Sequence, residues 1–255
     1  MVSNRLRNIS EKYMKPIAKL ADKLHFTPNT CTVLGLVMSV FSGVFIILAG
    51  DPIFSSALYR WLFFLSACLL ILASGFFDML DGVLARYQEN STIFGGFLDS
   101  VLDRYSDAII IVAIIIGGFC DLVIGLIALM GSIFVSYSRA RAESSGVPSK
   151  YMAAGIAERM ERMLLVAIFI YIEQSFYLFN VLGIPTMPGP VWPFSIFFGN
   201  WMATAITILA IITHATVIHR IYIAYNRLPK TKLDAEGYEK EKERLLNNTQ
   251  KENLT

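Results

Sequence analysis

The feature that most constrains this chain is a series of long apolar runs. A helix that crosses a bilayer needs about 20 mostly apolar residues. Six segments approach or exceed that length: Cys31–Ala49, Leu58–Phe77, Phe94–Gly118, Leu122–Tyr137, Met163–Ile184 and Trp201–Tyr222. Of the whole chain, 55% is hydrophobic and 16% charged, where a soluble domain carries about a quarter charged residues. The sequence therefore predicts an all-α integral membrane protein with six transmembrane helices. A net charge of +2 gives no support for a nucleic-acid partner. The cysteines Cys31, Cys68 and Cys120 lie in or beside apolar runs with no metal spacing, and read as small buried hydrophobes.

Basic residues alternate with the crossings. Six precede the first span, five lie between Ser138 and Arg162, and eight follow from Arg220 onward. The Pro185–Asn200 loop has none, and Arg60 is the one small exception on that side. The positive-inside rule then predicts a multi-pass protein of the cell membrane, with both termini, the Asp78–Ile93 turn and the Ser138–Arg162 loop cytoplasmic. Met1–Asp22 is basic and polar, without a cleavable apolar core. Within residues 4–24, Leu6, Ile9, Met14, Ile17, Ala18, Leu20 and Ala21 alternate with basic positions, the pattern of an amphipathic helix on the membrane surface. Three regions follow: an interfacial helix over 1–27, a six-helix domain over 28–225 and a charged tail over 226–255.

Four aspartates carry the chemistry. Asp78 and Asp81 are spaced i, i+3, and Asp99 and Asp103 are spaced i, i+4, so each pair shares a helix face. One pair ends the second span and the other begins the third, which brings four carboxylates together near the cytoplasmic surface. Four clustered anions repel one another, and a divalent cation resolves the repulsion. Oxygen-only ligands favour Mg²⁺, Mn²⁺ or Ca²⁺ over zinc. Two carboxylate pairs suit a two-metal site, a device used for phosphate chemistry. One pair alone would read as ordinary helix-end acids. Gly82 and Ala85 lack bulk beside Asp81, so a ligand can approach the backbone. Gly95 and Gly96 do the same at the start of the third span, although Gly96 fits close helix packing equally well.

The stretch from Asp78 to Asp103 resembles the CDP-alcohol phosphotransferase signature, D-x2-D-G-x2-A-R-x8-G-x3-D-x3-D, and matches all eight of its fixed positions. The resemblance covers roughly residues 4–225. It implies that Asp78, Asp81, Asp99 and Asp103 hold metal, two Mg²⁺ or Mn²⁺ ions, and that Asp103 is the general base on the acceptor hydroxyl. Gly82 and Ala85 would make room for the cytidine of a CDP-linked lipid, Arg86 would contact its phosphates, and Asp81 would border the CDP-lipid as well as the metal. Asn29 and Thr32 look like the family's nucleotide-side residues, with a helix N-cap after Pro28 as the alternative. The family also implies a homodimer.

The acceptor is approached through arginines. Arg139 and Arg141 abut the end of the fourth span, Arg159 and Arg162 precede the fifth, and Arg220 sits where the sixth returns to the same side. Guanidinium groups bind phosphate bidentately, so together they suggest a phosphorylated acceptor. Tyr137–Glu143 and Glu158–Arg162 also resemble the phosphatidylinositol-phosphate synthase branch, archaeal ether-lipid members included, with Met160 where that branch has proline. The resemblance implies transfer of a phosphatidyl-type group from a CDP-lipid to a phosphorylated polyol with release of CMP. Inositol 1-phosphate is the first expectation and glycerol 3-phosphate the alternative. A divalent-cation transporter is the rival of a different class, but it predicts acids spread through the depth of the membrane. Within the outer halves of the spans, Glu173 is the one acid.

Overall fold

The structure, a computed structural model, describes residues 14–152, 158–182 and 200–229, with isolated positions of the tail beyond them. All regular structure among these residues is helical. Helix α1 covers 14–23, and α2 is Pro28–Gly50, α3 Ala57–Tyr87, α4 Ile93–Ile116, α5 Leu122–Ser144, α6 Ser149–Met152, α7 Arg159–Val181 and α8 Trp201–Arg227. Helices suit the apolar runs because hydrocarbon offers no partner for a backbone N–H or C=O, and a helix satisfies both internally.

Helix starts follow local chemistry. The Thr27 hydroxyl accepts from the Thr30 amide at 3.2 Å, with Pro28 opening α2. Thr92 caps α4 through the Gly95 amide at 2.9 Å, and Asp121 caps α5 through the Val123 amide at 2.8 Å. Each side chain satisfies a donor that the first turn leaves orphaned. The cap before α2 is thus Thr27, and neither Asn29 nor Thr32 fills that role.

Among the described residues, five helices are long and apolar enough to cross a membrane: α2, α3, α5, α7 and α8. The expected third span, α4, has 24 residues. It differs because Asp99, Asp103, Arg104 and Asp107 all fall within its first 15 residues. Apolar side chains such as Leu69, Leu72, Ile211 and Ile218 are exposed along the outside of the bundle. Inside, α2 packs on α3 and α4, α3 on α7, and α5 and α7 on α8. Hydroxyls join the helices where small residues let them approach: Ser39 Oγ lies 2.8 Å from Ser74 Oγ, and Ser42 donates to the Ala67 carbonyl at 3.0 Å. A Cβ on Gly50 would lie 2.1 Å from the Gly117 carbonyl oxygen, so only glycine permits this approach of α2 to the end of α4.

Two expectations are modified. The segment after Tyr137, read as loop, continues α5 through Ser144. No breaker occurs until Gly146, whose φ of +94° turns the chain ahead of Pro148. In α1, Met14, Ala18 and Ala21 pack against Cys31, Leu80, Val83 and Leu84, so this face meets protein, while Ile17 and Leu20 point outward. Gln88 ties α1 to the end of α3 by donating to Asp22 at 2.8 Å and to the Phe26 carbonyl at 3.0 Å. Leu6, Ile9 and Trp192 lie outside the described residues.

Two polar residues singled out in the bundle, Glu173 and His214, have local partners. Glu173 accepts from the Trp201 amide at 3.0 Å, which anchors the start of α8. His214 Nδ1 lies 3.0 Å from the Ala210 carbonyl. Burial and the neighbouring Asp121 push the Cys120 thiol, in the turn before α5, up to about 11, so it stays protonated at neutral pH.

Candidate active site

The last turns of α3 carry Asp78 and Asp81, and the first turns of α4 carry Asp99 and Asp103. Only residues 88–92 separate the two helices, so the pairs meet at one end of the bundle. Asp78, Asp99 and Asp103 each offer a carboxylate oxygen within 4.8 Å of the others. Asp99 Oδ1 is buried with no hydrogen-bond partner. An orphaned oxygen at the meeting of three carboxylates, with only oxygen donors around it, fits a hard divalent cation. Asp81 stands beside this trio and is 7% exposed. Its Oδ2 accepts from the Thr32 hydroxyl at 2.8 Å, a bond that reaches across from α2.

Arg159, at the start of α7, is inserted between the helices. Its Nη1 contacts Asp78 Oδ1 and lies 2.6 Å from Asp103 Oδ1. One cation thus holds two carboxylates from different helices, which offsets part of their repulsion.

Carboxylates of the cluster line two cavities, Asp81 and Asp99 the one and Asp103 the other. The first, of about 200 Å³, is lined by Asn29, Thr32, Asp81, Gly82, Ala85 and Arg86, with Asn90, Ser91, Thr92, Gly95, Gly96 and Asp99. All six residues expected on the CDP-lipid side are therefore together. A Cβ on Gly96 would meet nothing within 4 Å, and one on Gly82 only Arg86 Nη1 at 3.5 Å. Neither glycine serves helix packing; both face the cavity. A Cβ on Gly95 would crowd Thr92 Oγ1 at 2.9 Å and Asn29 Oδ1 at 3.2 Å, so Gly95 is needed for the approach of α4 to Asn29.

The second cavity, of about 440 Å³, is lined by Asp103, Arg104, Asp107, Arg139, Glu143, Glu158, Arg159, Arg162 and Arg220, among others. Four of the five arginines expected to bind the acceptor converge here. Arg139 is steered by Glu143 at 3.0 Å and Glu158 at 3.6 Å, and Arg220 donates to the Val135 carbonyl. Arg141 does not join them. It lines an adjacent, mostly apolar hollow with Phe134, Tyr137 and Ile221, which shares only Arg220 with the larger cavity. The reason is helical geometry: positions i and i+2 lie about 200° apart around an α-helix, so Arg139 and Arg141 face opposite ways once α5 extends past them.

Sequence reasoning missed the pairing of Asp107 with Arg162, whose side chains are 10% and 5% exposed. The only sequence signal was the repeat of aspartate every four residues from Asp99 to Asp107. It also missed Glu143 as the guide for Arg139, which their i, i+4 spacing could have indicated.

The family model for CDP-alcohol phosphatidyltransferase matches residues 25–209. An archaetidylinositol phosphate synthase of Methanothermobacter thermautotrophicus is 35% identical over 225 residues, spanning 88% of this chain and 95% of that protein. The protein of the same name from Pyrococcus horikoshii is 31% identical over 225 residues, spanning 88% and 97%. The crystal structure of Mycobacterium tuberculosis phosphatidylinositol phosphate synthase with CDP-DAG bound has the same fold: the TM-score is 0.64 at 23% identity, over 88% of this chain and 99% of that one. With all eight signature positions in place around one carboxylate cluster, the chain belongs to the CDP-alcohol phosphatidyltransferase family and is a transferase.

Proposed function

We propose that the chain transfers a phosphatidyl-type group, diacylglycerol- or archaeol-linked, from a CDP-lipid to inositol 1-phosphate and releases CMP, in membrane phospholipid synthesis. The observation that carries this reading is the placement of the carboxylates along two cavities, one lined by the signature glycines and the other by arginines. A reaction that joins an activated lipid to a phosphorylated alcohol needs a place for each reactant beside charged groups that can act on both. The names of the archaeal relatives support inositol phosphate as the acceptor.

Each residue has a role in this scheme. Asp78, Asp81, Asp99 and Asp103 hold two Mg²⁺ or Mn²⁺ ions. When bound, the ions neutralise the pyrophosphate and stabilise CMP as it leaves. The crystal structure of the mycobacterial synthase in complex with manganese and citrate supports that choice. Gly82 and Ala85 leave space for the cytidine, Asn29 and Thr32 border it, and Arg86 meets the phosphates. Arg139, Arg159, Arg162 and Arg220 bind the acceptor's phosphate through charge-assisted hydrogen bonds. Asp103 borders the arginine-lined cavity and takes the proton from the attacking hydroxyl. That oxygen bonds to the lipid-side phosphorus as the bond from phosphorus to CMP breaks. Proximity supplies much of the rate, because both reactants are held beside one carboxylate cluster.

In the bilayer, α4 serves as the sixth span with its charged half at the cytoplasmic level, and α1 lies at the interface with Ile17 and Leu20 toward lipid. Both termini and the active site are cytoplasmic, and the protein acts as a homodimer. CMP release measured with a panel of acceptors tests the reading. Release with inositol 1-phosphate is expected. Robust release with glycerol 3-phosphate and none with inositol phosphate would overturn the acceptor assignment.

A further inference from the structure

We propose that Asp107 is a positioning residue: it holds Arg162 in the arginine-lined cavity and so sets affinity for the phosphorylated acceptor. This rests on the reading of that cavity as the acceptor's chamber. Asp107 lies one turn beyond Asp103 on α4 and falls outside the eight-position signature. It does not belong to the carboxylate trio that can share a metal. Its Oδ2 accepts from Arg162 Nη2 on α7. Both side chains line the cavity, and both are nearly buried.

The surroundings make this pair strong. Beneath it, Ile110, Ile111, Met163, Val166 and Leu209 form an apolar floor. Above it is the polar cavity. With low dielectric on one side, a buried arginine gains from a carboxylate held beside it. The neighbouring basic groups add to the need: Arg104, Arg139, Arg159 and Arg220 line the same cavity. Arg159 is engaged by Asp78 and Asp103, and Arg139 by Glu143 and Glu158. Asp107 does the same for Arg162. Guanidinium donors lie in one rigid plane, so a carboxylate on one edge fixes where the remaining donors point. In this way Asp107 aims Arg162 without touching the substrate.

The test uses the full-length protein in detergent or liposomes. Asp107→Asn should raise the KM for inositol 1-phosphate about tenfold, with kcat and the KM for CDP-lipid within about twofold of the parent. Asp107→Glu, which restores the charge, should recover most of the loss. Asp107→Ser carries the same expectation as Asp107→Asn and serves if the amide variant does not fold. In an Arg162→Ala background, Asp107→Asn should add nothing further, because the two act as one unit. Suppose Arg139→Ala and Arg162→Ala raise the acceptor KM but Asp107→Asn leaves it unchanged, or raises it equally without Arg162. The positioning role is then wrong while the chamber assignment stands. No acceptor effect from either arginine variant would overturn both.

Discussion

Arg159 Nη1 touches Asp78 on α3 and lies 2.6 Å from Asp103 on α4, so one guanidinium bridges two of the carboxylates expected to hold metal. A cation on the protein therefore competes with a cation from solution for the same oxygens. Arg159 also borders the arginine-lined cavity. Arg159→Ala should consequently act in opposite directions on two measurements. Mn²⁺ should bind more tightly, read by isothermal titration, while the KM for inositol 1-phosphate rises about tenfold. If Mn²⁺ affinity falls, Arg159 supports the metal site and does not compete with it.

Asp99 Oδ1 has no hydrogen-bond partner although it is buried. Asp99→Asn keeps the shape and removes the charge. Turnover should drop by more than about 100-fold, because the loss of a ligand exceeds the 10–100-fold cost of losing a group that only orients one. Excess Mn²⁺ should restore little of it. Retained activity would exclude Asp99 from metal binding.

Thr32 on α2 and Asp81 on α3, 49 residues apart in sequence, meet at 2.8 Å. Thr32→Val removes the donor at nearly constant volume. A hydrogen bond to a buried carboxylate contributes about 1.5–3 kcal/mol, so the KM for CDP-lipid should rise tenfold or more by the arithmetic of about 1.4 kcal/mol per decade. The KM for the acceptor should be unchanged, since Thr32 lines the other cavity.

Gly96 separates folding from binding. A Cβ there meets no protein atom within 4 Å, and alanine is favoured over glycine in a helix by about 1 kcal/mol. Gly96→Ala should hold or raise the melting temperature while it weakens CDP-lipid binding. Gly50→Ala should do the reverse, because its Cβ would strike the Gly117 carbonyl. Thermal melts and Michaelis curves on both variants check the contrast.

Arg139 and Arg141 differ by two residues and face different cavities. Arg139→Ala should raise the KM for inositol 1-phosphate about tenfold, and Arg141→Ala should change it by less than about twofold. Equal effects would mean that the two side chains share one ligand.

What could be read from the sequence was local in character. The pairs Asp78/Asp81 and Asp99/Asp103 were visible because helical spacing fixes which residues share a face, and the short connection between their helices fixes that the faces meet. The apolar runs announced their helices for the same reason. Contacts across long separations were invisible: Thr32 with Asp81, and Asp107 with Arg162. Each depends on how helices pack, which no spacing records. Arg141 was misplaced for an intermediate reason. Its side chain direction is a matter of helical phase, but that phase applies only if α5 continues past Tyr137, and the basic composition there had suggested a loop.

The presence of two cavities along the carboxylates has a kinetic consequence. Each chamber has its own lining, so neither substrate has to vacate its place for the other to enter. Under the proposed reaction the protein would hold lipid donor and acceptor at the same moment, with no step that parks the phosphatidyl group on a side chain. Turnover then passes through a ternary complex: double-reciprocal plots at different fixed concentrations of the second substrate intersect, where a relay through an enzyme-bound intermediate would make them parallel.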